Sequence, residues 1–186
     1  MAIRWKHDDS TAMYFCTFTC FKWLPLIEMV DGYDLVYNWF DVLKQHNYQT
    51  VAFVIMPNHL HSIFYFEDAG FDLNKIISNG KRFLAYELVS RLECTGQDEI
   101  LQVLNNGLSK RERRKGQIHK VFTDSFDAKG IYNQKFFNQK LNYIHLNPVR
   151  GKWNLVNDYR DYEHSSASFY ELGNVKRYSP FDYRNI

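Results

Sequence analysis

The chain has 186 residues, of which 45% are hydrophobic and 17% aromatic, and its formal net charge is +2. This length fits one folded domain, residues 1–186, with an ordinary core. We expect a protein of the reducing cytoplasm, because the chain lacks an apolar signal segment and a run of transmembrane length, and because Cys16, Cys20 and Cys94 make no disulfide framework.

The first half of the chain predicts a strand, a helix and then two strands. Residues 13–21 alternate and are rich in Phe, Thr and Cys, which favours a strand, and residues 31–44 have one apolar face, which favours a helix. The next two strands are predicted at residues 49–55 and 59–66, with Pro57 and Asn58 as the turn between them.

The second half predicts a long helix at residues 73–92, a short helix at 97–104, a mobile basic loop at 105–117, a strand at 120–128 and a helix at 133–147. The order of elements matches an α+β fold of the ferredoxin-like sandwich type, in which helices pack on one face of an antiparallel sheet. No repeat or linker indicates a second domain.

Two histidines, His59 and His61, are the first candidate functional residues. Side chains at positions i and i+2 of a strand point to the same face, so the two imidazoles should lie side by side. Such a pair can occupy neighbouring positions on one metal ion. A lone histidine there would more often be structural, but two on one face beside a Pro-Asn turn favour metal binding.

A second group of polar residues lies near the end of the last predicted helix. Gln139, Tyr143 and Asn147 are spaced at i, i+4 and i+8, so they form one stripe, and Pro148 favours a helix end at Asn147. A phenol and an amide oxygen then point in one direction. With the two histidines they would make a metal-assisted nucleophilic site. His145 should face elsewhere and be structural.

The two segments together resemble a known family. Residues 54–61 (VIMPNHLH) and 143–150 (YIHLNPVR) are similar to the motifs of the single-tyrosine HUH transposases of bacterial insertion sequences, in particular the REP-associated tyrosine transposases. Weaker similarity is present at residues 15–19, 73–77 and 162–166, and the resemblance spans about residues 12 to 170. The two main motifs are specific as a pair.

The resemblance implies a metal-dependent transposase in which Tyr143 is the catalytic nucleophile and His59, His61 and Asn147 hold Mg²⁺ or Mn²⁺. Related insertion-sequence enzymes have Gln where this chain has Asn147. The implied substrate is single-stranded DNA with a hairpin, cleaved through a 5′-phosphotyrosine intermediate and then rejoined. Insertion-sequence relatives act as homodimers, whereas REP-associated relatives can act as monomers. Binding to DNA would place the protein in the nucleoid.

The charge distribution gives a candidate DNA-binding surface. Residues 1–74 carry a net charge of −5, residues 75–120 carry +5 and residues 121–186 carry +2. A polyanion would dock where the positive charge is concentrated, although a solvated loop could have the same composition. The predicted DNA-binding residues are Lys75, Lys81, Arg82, Lys110, Arg111, Arg113, Arg114, Lys115 and Lys140.

Two other functions remain open from the sequence. The chain could be a DNA-hairpin-binding protein that has lost its activity, although the presence of His59, His61 and Tyr143 together argues against this. It could also be a metal-dependent phosphodiesterase that uses activated water, with Tyr143 in a structural role. A covalent protein–DNA adduct would distinguish the transposase from both.

Overall fold

A computed structural model describes residues 12–67 and 70–186 of the chain. In these residues four strands form one sheet in the order β2-β3-β1-β4, and all neighbouring strands are antiparallel. The strands are β1 (Met13–Thr19), β2 (Tyr48–Met56), β3 (His59–Phe66) and β4 (Asp127–Gly130). This order and the antiparallel pairing confirm the predicted α+β class.

The α-helices of the described residues are α1 (Leu26–Met29), α2 (Tyr33–Gln45), α3 (Leu73–Cys94), α4 (Asp98–Asn106), α5 (Lys110–Arg114), α6 (Gln134–Leu146) and α7 (Ala167–Leu172). Short 3₁₀ turns lie at Phe21–Trp23 and Asn147–Val149, among other places. No helix in this part of the chain is long and apolar enough to cross a membrane.

The helices lie on both faces of the sheet. One face carries the larger core, where α2 and α3 bury apolar residues such as Phe40 and Leu84 against strand residues such as Phe64. The other face is covered by α6, through Phe137 and Ile144, and by the C-terminal segment. The prediction that helices pack on one face of the sheet is right for α2 and α3. It did not include α6, which covers the other face.

The alternation of side chains along β3 places the two histidines on the α6 face. Leu60 belongs to the core under α2 and α3, whereas Ile63, which has the parity of His59 and His61, belongs to the core under α6. In the sheet, His61 is paired with Thr17 of β1 and His59 with Thr19. The candidate metal ligands thus stand on a central strand and face the helix that carries Tyr143.

Most predicted elements are confirmed within a few residues, and β3 has the predicted bounds. Two expectations in the basic region are wrong. Residues 105–117 are not simply a loop, because Ser109 and Glu112 form a capping box that starts α5. Residues 120–128 are not one strand, because only Asp127–Gly130 form β4, and Phe122 makes an isolated bridge with Cys20.

The C-terminal segment covers the outer edge of β2. The backbone N–H of Ile55 donates to the carbonyl of His164, and that of Ser166 donates to the carbonyl of Phe53. The hydroxyl of Tyr162 donates to the carbonyl of Ile55 at 2.8 Å. The outer edge of β2 is therefore bonded along its length, which protects it from pairing with another chain.

Candidate active site

His59 and His61 lie side by side and are almost fully buried. Each side chain is 6% exposed, and the centroids of the two rings are 4.7 Å apart. The two imidazoles therefore lie on the same face of the strand, as the sequence predicted. They can serve as neighbouring ligands of one ion.

Asn58 fixes the orientation of the His59 ring. The side chain of Asn58 is fully buried, and its Nδ2 donates to the carbonyl of Trp23 at 2.9 Å. This bond places Oδ1 of Asn58 toward His59, whose Nδ1 lies 2.6 Å away. Since an amide oxygen only accepts hydrogen bonds, Nδ1 of His59 carries the proton and the lone pair of the neutral imidazole is on Nε2.

Thr17 plays the matching role for His61. Its hydroxyl lies 2.6 Å from Nδ1 of His61, and the ring of Phe15 stacks on the imidazole at a centroid distance of 5.6 Å. The contact leaves Nε2 of His61 as the nitrogen available to a ligand. Partners of this kind hold the ligating ring in place in metal sites.

Both imidazoles are neutral near pH 7. Burial lowers the pKa of His59 to about 4, although its hydrogen bond with Asn147 partly opposes this. Burial, followed by the nearby His59 and Lys140, lowers the pKa of His61 well below its usual value. The neutral form is the one that binds metal ions.

Helix α6 brings Tyr143 and Asn147 to the histidines. The ring of Tyr143 lies 5.0 Å from the ring of His61, centroid to centroid, and the side chain is 41% exposed. Asn147 caps the helix with helical backbone angles, and its side chain lies close enough to the His59 imidazole to raise the pKa of that group. The phenol is therefore both beside the histidine pair and open to a substrate.

Lys140, one turn before Tyr143, also belongs to this site. Its Nζ lies 4.4 Å from the ring centroid of Phe15 and 5.6 Å from that of Tyr143. Burial, with the nearby Lys129, lowers the pKa of Lys140, although Asp127 partly opposes this. The ammonium group can attract a phosphate or a phenolate. Gln139, the first member of the predicted stripe, is exposed.

The remaining basic residues have different surroundings. Lys81 is half-buried, and its Nζ donates to the carbonyls of Thr123, Asp124 and Ser125, so it holds a turn. Arg113 donates to Asn105. The other predicted DNA-binding residues are exposed: Lys75, Arg82, Lys110, Arg111, Arg114 and Lys115.

The donor atoms fit a divalent ion that accepts nitrogen and amide oxygen. Among the described residues, no group of three or more His, Cys, Asp or Glu could hold a metal. The candidate set is two imidazole nitrogens and the Asn147 amide oxygen, all neutral. Imidazole suits Mn²⁺ better than Mg²⁺, which prefers oxygen and keeps several waters.

Three residues of the site were not predicted: Asn58, Thr17 and Trp23. Asn58 could have been found, because it directly precedes His59 in the sequence motif. Thr17 is paired with His61 only through the sheet register, which the sequence does not give. Trp23 lies 5.9 Å from the His59 ring, centroid to centroid, and no pattern in the sequence indicates this contact.

Comparison with known proteins supports the fold. The structure of a REP-associated tyrosine transposase bound to a REP hairpin matches with a TM-score of 0.62 and 15% sequence identity, over 96% of this chain and 92% of that one. The chain therefore shares the fold of that protein. A second match, named as a candidate transposase of Deinococcus radiodurans R1, has a TM-score of 0.45 and 14% identity, over 76% of this chain and 95% of that one. No protein-family model and no curated protein matches the chain.

Proposed function

We propose that this protein is a transposase-like endonuclease that cleaves and rejoins single-stranded DNA through Tyr143. The observation that carries the proposal is the position of the Tyr143 ring 5.0 Å from that of His61, with Asn147 of the same helix beside His59. Two motifs more than 80 residues apart in the sequence thus meet in one place. This supports a joint role for a nucleophile and a metal centre.

In the proposed reaction the phenol oxygen of Tyr143 attacks the scissile phosphorus. The new Tyr O–P bond forms as the P–O3′ bond breaks, and the phenol proton ends on the 3′-oxygen. A bound Mg²⁺ or Mn²⁺ would supply charge stabilisation to the phosphate oxygens. His59, His61 and Asn147 would hold it, while Lys140 stabilises the phenolate as it develops.

The proposed intermediate retains the energy of the broken phosphodiester, so rejoining needs no ATP. A 3′-hydroxyl attacks the phosphotyrosine, the Tyr143 oxygen leaves, and the proton returns to it. The exposure of Tyr143 supports this role, because a strand end must be able to leave and another to enter. A neutral phenol is a weak nucleophile, which is why the reaction requires the surrounding cations.

The proposed substrate is single-stranded DNA that carries a hairpin. The similar transposase was solved bound to a REP hairpin, and we extend that ligand class to this chain. The exposed cations of α3 and α5 would contact phosphates.

A direct test is the capture of a covalent adduct. The protein is incubated with Mn²⁺ and a pool of single-stranded hairpin oligonucleotides with randomised flanks. An adduct that survives denaturing electrophoresis should form, peptide mass should place the DNA on Tyr143, and sequencing should identify the cleaved phosphate. Tyr143→Phe should bind the selected oligonucleotide but not cleave it, and His59→Ala and His61→Ala should also be inactive. Tyr132→Phe is the matched control, because Tyr132 is exposed and near α6 but not in the site.

Other outcomes identify the alternatives. Cleavage without an adduct, retained by Tyr143→Phe, would indicate a phosphodiesterase that activates water. Hairpin binding without cleavage by any form of the protein would indicate an inactive DNA-binding protein.

A further inference from the structure

Trp23 has a backbone conformation that side chains rarely adopt. Lys22 and Trp23 have φ values of 52° and 58°, so two consecutive non-glycine residues lie in the left-handed region. Residues with this geometry persist only where the surrounding structure holds them, and they are concentrated at functional sites.

The turn is held by the residues that build the candidate site. The carbonyl of Trp23 accepts from Nδ2 of Asn58 at 2.9 Å, and the backbone N–H of Cys20 donates to the carbonyl of Asn58 at 2.8 Å. Asn58 also bonds Nδ1 of His59. One buried amide therefore positions both the imidazole and the turn that carries the indole.

The indole itself is largely exposed. Trp23 is 59% exposed, whereas Trp39 is 4% exposed and packs in the core, so the Trp23 ring contributes little to folding by burial. Its ring lies 5.9 Å from the His59 ring at an interplanar angle of 72°. An aromatic face that is fixed, exposed and beside a candidate phosphate site can stack on a nucleic-acid base.

The rings of the site follow a fixed order. Trp23 contacts His59, His59 is 4.7 Å from His61, and His61 is 5.0 Å from Tyr143. Tyr143 therefore stands at the His61 end of the pair. Trp23 stands at the His59 end, where the backbone N–H of Cys20 also bonds the carbonyl of Asn58.

We propose that Trp23 stacks on the base of the nucleotide whose 3′-oxygen leaves in the cleavage step. The inference rests on the proposed function. In an in-line displacement the attacking and leaving oxygens lie on opposite sides of phosphorus. Tyr143 attacks from the His61 end, so the leaving 3′-oxygen and its nucleoside lie at the His59 end, against Trp23. The same stacking would hold the 3′-hydroxyl for rejoining.

Photocrosslinking tests the position without relying on catalysis. Tyr143→Phe protein is bound, in the presence of a chelator, to the oligonucleotide selected by the wild-type adduct, with 5-iodouracil placed on either side of the scissile phosphate. Irradiation should crosslink Trp23 to the base on the 5′ side, as mapped by peptide mass. A crosslink to Trp23 from the 3′ side alone, or from neither side, would overturn the proposal.

A kinetic cycle tests the energetic role. When an aromatic residue that stacks on a base is replaced by Ala, the affinity typically falls about 5- to 150-fold. Trp23→Ala should lower kcat/KM by a factor in this range, and Trp23→Phe should restore much of it. With an abasic nucleotide on the 5′ side, wild type and Trp23→Ala should react equally. Tyr132→Ala is the matched control, because Tyr132 is 66% exposed and lies outside the site.

The outcomes separate this inference from the proposed function. If the wild type forms no adduct, the proposed function fails. If the adduct forms but Trp23→Ala loses as much activity on the abasic substrate as on the intact one, the stacking role is wrong while the proposed reaction stands.

Discussion

Two side chains, Asn58 and Thr17, determine which nitrogen each candidate ligand presents. Each bonds an Nδ1 atom at 2.6 Å, so Nε2 is the nitrogen that remains for a metal ion. Their contribution is to keep the rings of His59 and His61 in a ligating orientation before any ion arrives.

Removing the Thr17 hydroxyl should weaken the metal centre without changing its ligands. Thr17→Val keeps the shape of the side chain but removes the contact with Nδ1 of His61, and loss of such a partner typically costs about 10- to 100-fold in metal affinity. Mn²⁺ titration followed by calorimetry should measure this loss. Thr50→Val is the control, since the buried Thr50 hydroxyl has no hydrogen-bond partner. Equal Mn²⁺ affinity in both variants would contradict the role of Thr17.

At the scale of single residues, the sequence predicted the candidate nucleophile and metal ligands but not the residues that orient them. His59, His61, Tyr143 and Asn147 were predicted because strand and helix periodicity each place two residues on one face. That the two pairs meet follows from the packing of α6 on β3, which periodicity alone does not give. The proposed stacking residue, Trp23, depends on a left-handed turn that no local pattern specifies.

In helix α5, a run of charged residues led to the prediction of a loop although a capping motif starts a helix there. The run of cations at residues 110–115 suggested a solvated loop, but Ser109 and Glu112 satisfy each other's backbone N–H groups and start a helix. Arg111 and Arg114 are exposed on this short helix, and Lys115 follows at its end. The basic surface is thus more ordered than its composition indicates.

Neutralising this surface should reduce the salt dependence of DNA binding. Changing Arg111, Arg114 and Lys115 together to Gln should lower the slope of log K against log salt by about 2, since each phosphate contact to a single strand contributes about 0.7. Fluorescence anisotropy with a hairpin oligonucleotide at several salt concentrations measures the slope. The control replaces three arginines that pair with acidic residues, Arg160, Arg177 and Arg184. An unchanged slope in the α5 variant would place the DNA on another surface.

Lys81 should behave differently from the α5 cations. Its ammonium group bonds the carbonyls of Thr123, Asp124 and Ser125, which connect the basic region to β4. Lys81→Met leaves these carbonyls without their donor and should lower the free energy of unfolding by about 1 to 3 kcal/mol. Urea denaturation measures this change. A variant with normal stability but a reduced salt slope would instead show that Lys81 contacts DNA.

For the whole molecule, the features that the sequence did not predict depend on contacts between residues that are far apart in the chain. Strands β1, β2 and β3 and helices α2, α3, α4 and α6 were confirmed because their apolar periodicity is strong. The placement of helices on both faces was missed, since periodicity shows that a helix has an apolar side but not which face of the sheet it covers. The C-terminal cover of β2 was also missed, because it consists of short turns and single backbone bonds.

This C-terminal cover contains a half-buried histidine that should make stability depend on pH. His164 stacks on Tyr33 at a centroid distance of 3.6 Å, and the Tyr37 hydroxyl lies 2.9 Å from its Nδ1. Burial lowers the pKa of His164 to about 4. The nearby charged groups are Glu163, Arg177 and Asp31.

Because the unfolded chain takes up the His164 proton near pH 6.5 and the folded chain only near pH 4, acid should favour unfolding. The contribution is fully present above pH 6.5 and is lost as the pH falls toward 4. After allowance for partial exposure, we expect a loss of about 1 to 2 kcal/mol. His164→Phe should keep the stacking and flatten the pH dependence of unfolding by this amount in denaturant titrations at pH 4 to 7. An unchanged profile would mean that His164 is protonated in the folded protein.

The candidate metal centre is built from two imidazoles and one amide, without a carboxylate among the described residues. A divalent ion held by these groups keeps its full double charge, and a DNA phosphate would be the first group to neutralise it. Thermodynamic linkage then requires the ion and the strand to raise each other's affinity by the same factor. A bound strand would therefore raise the affinity of the centre for the ion, so the DNA would act as an effector as well as a substrate.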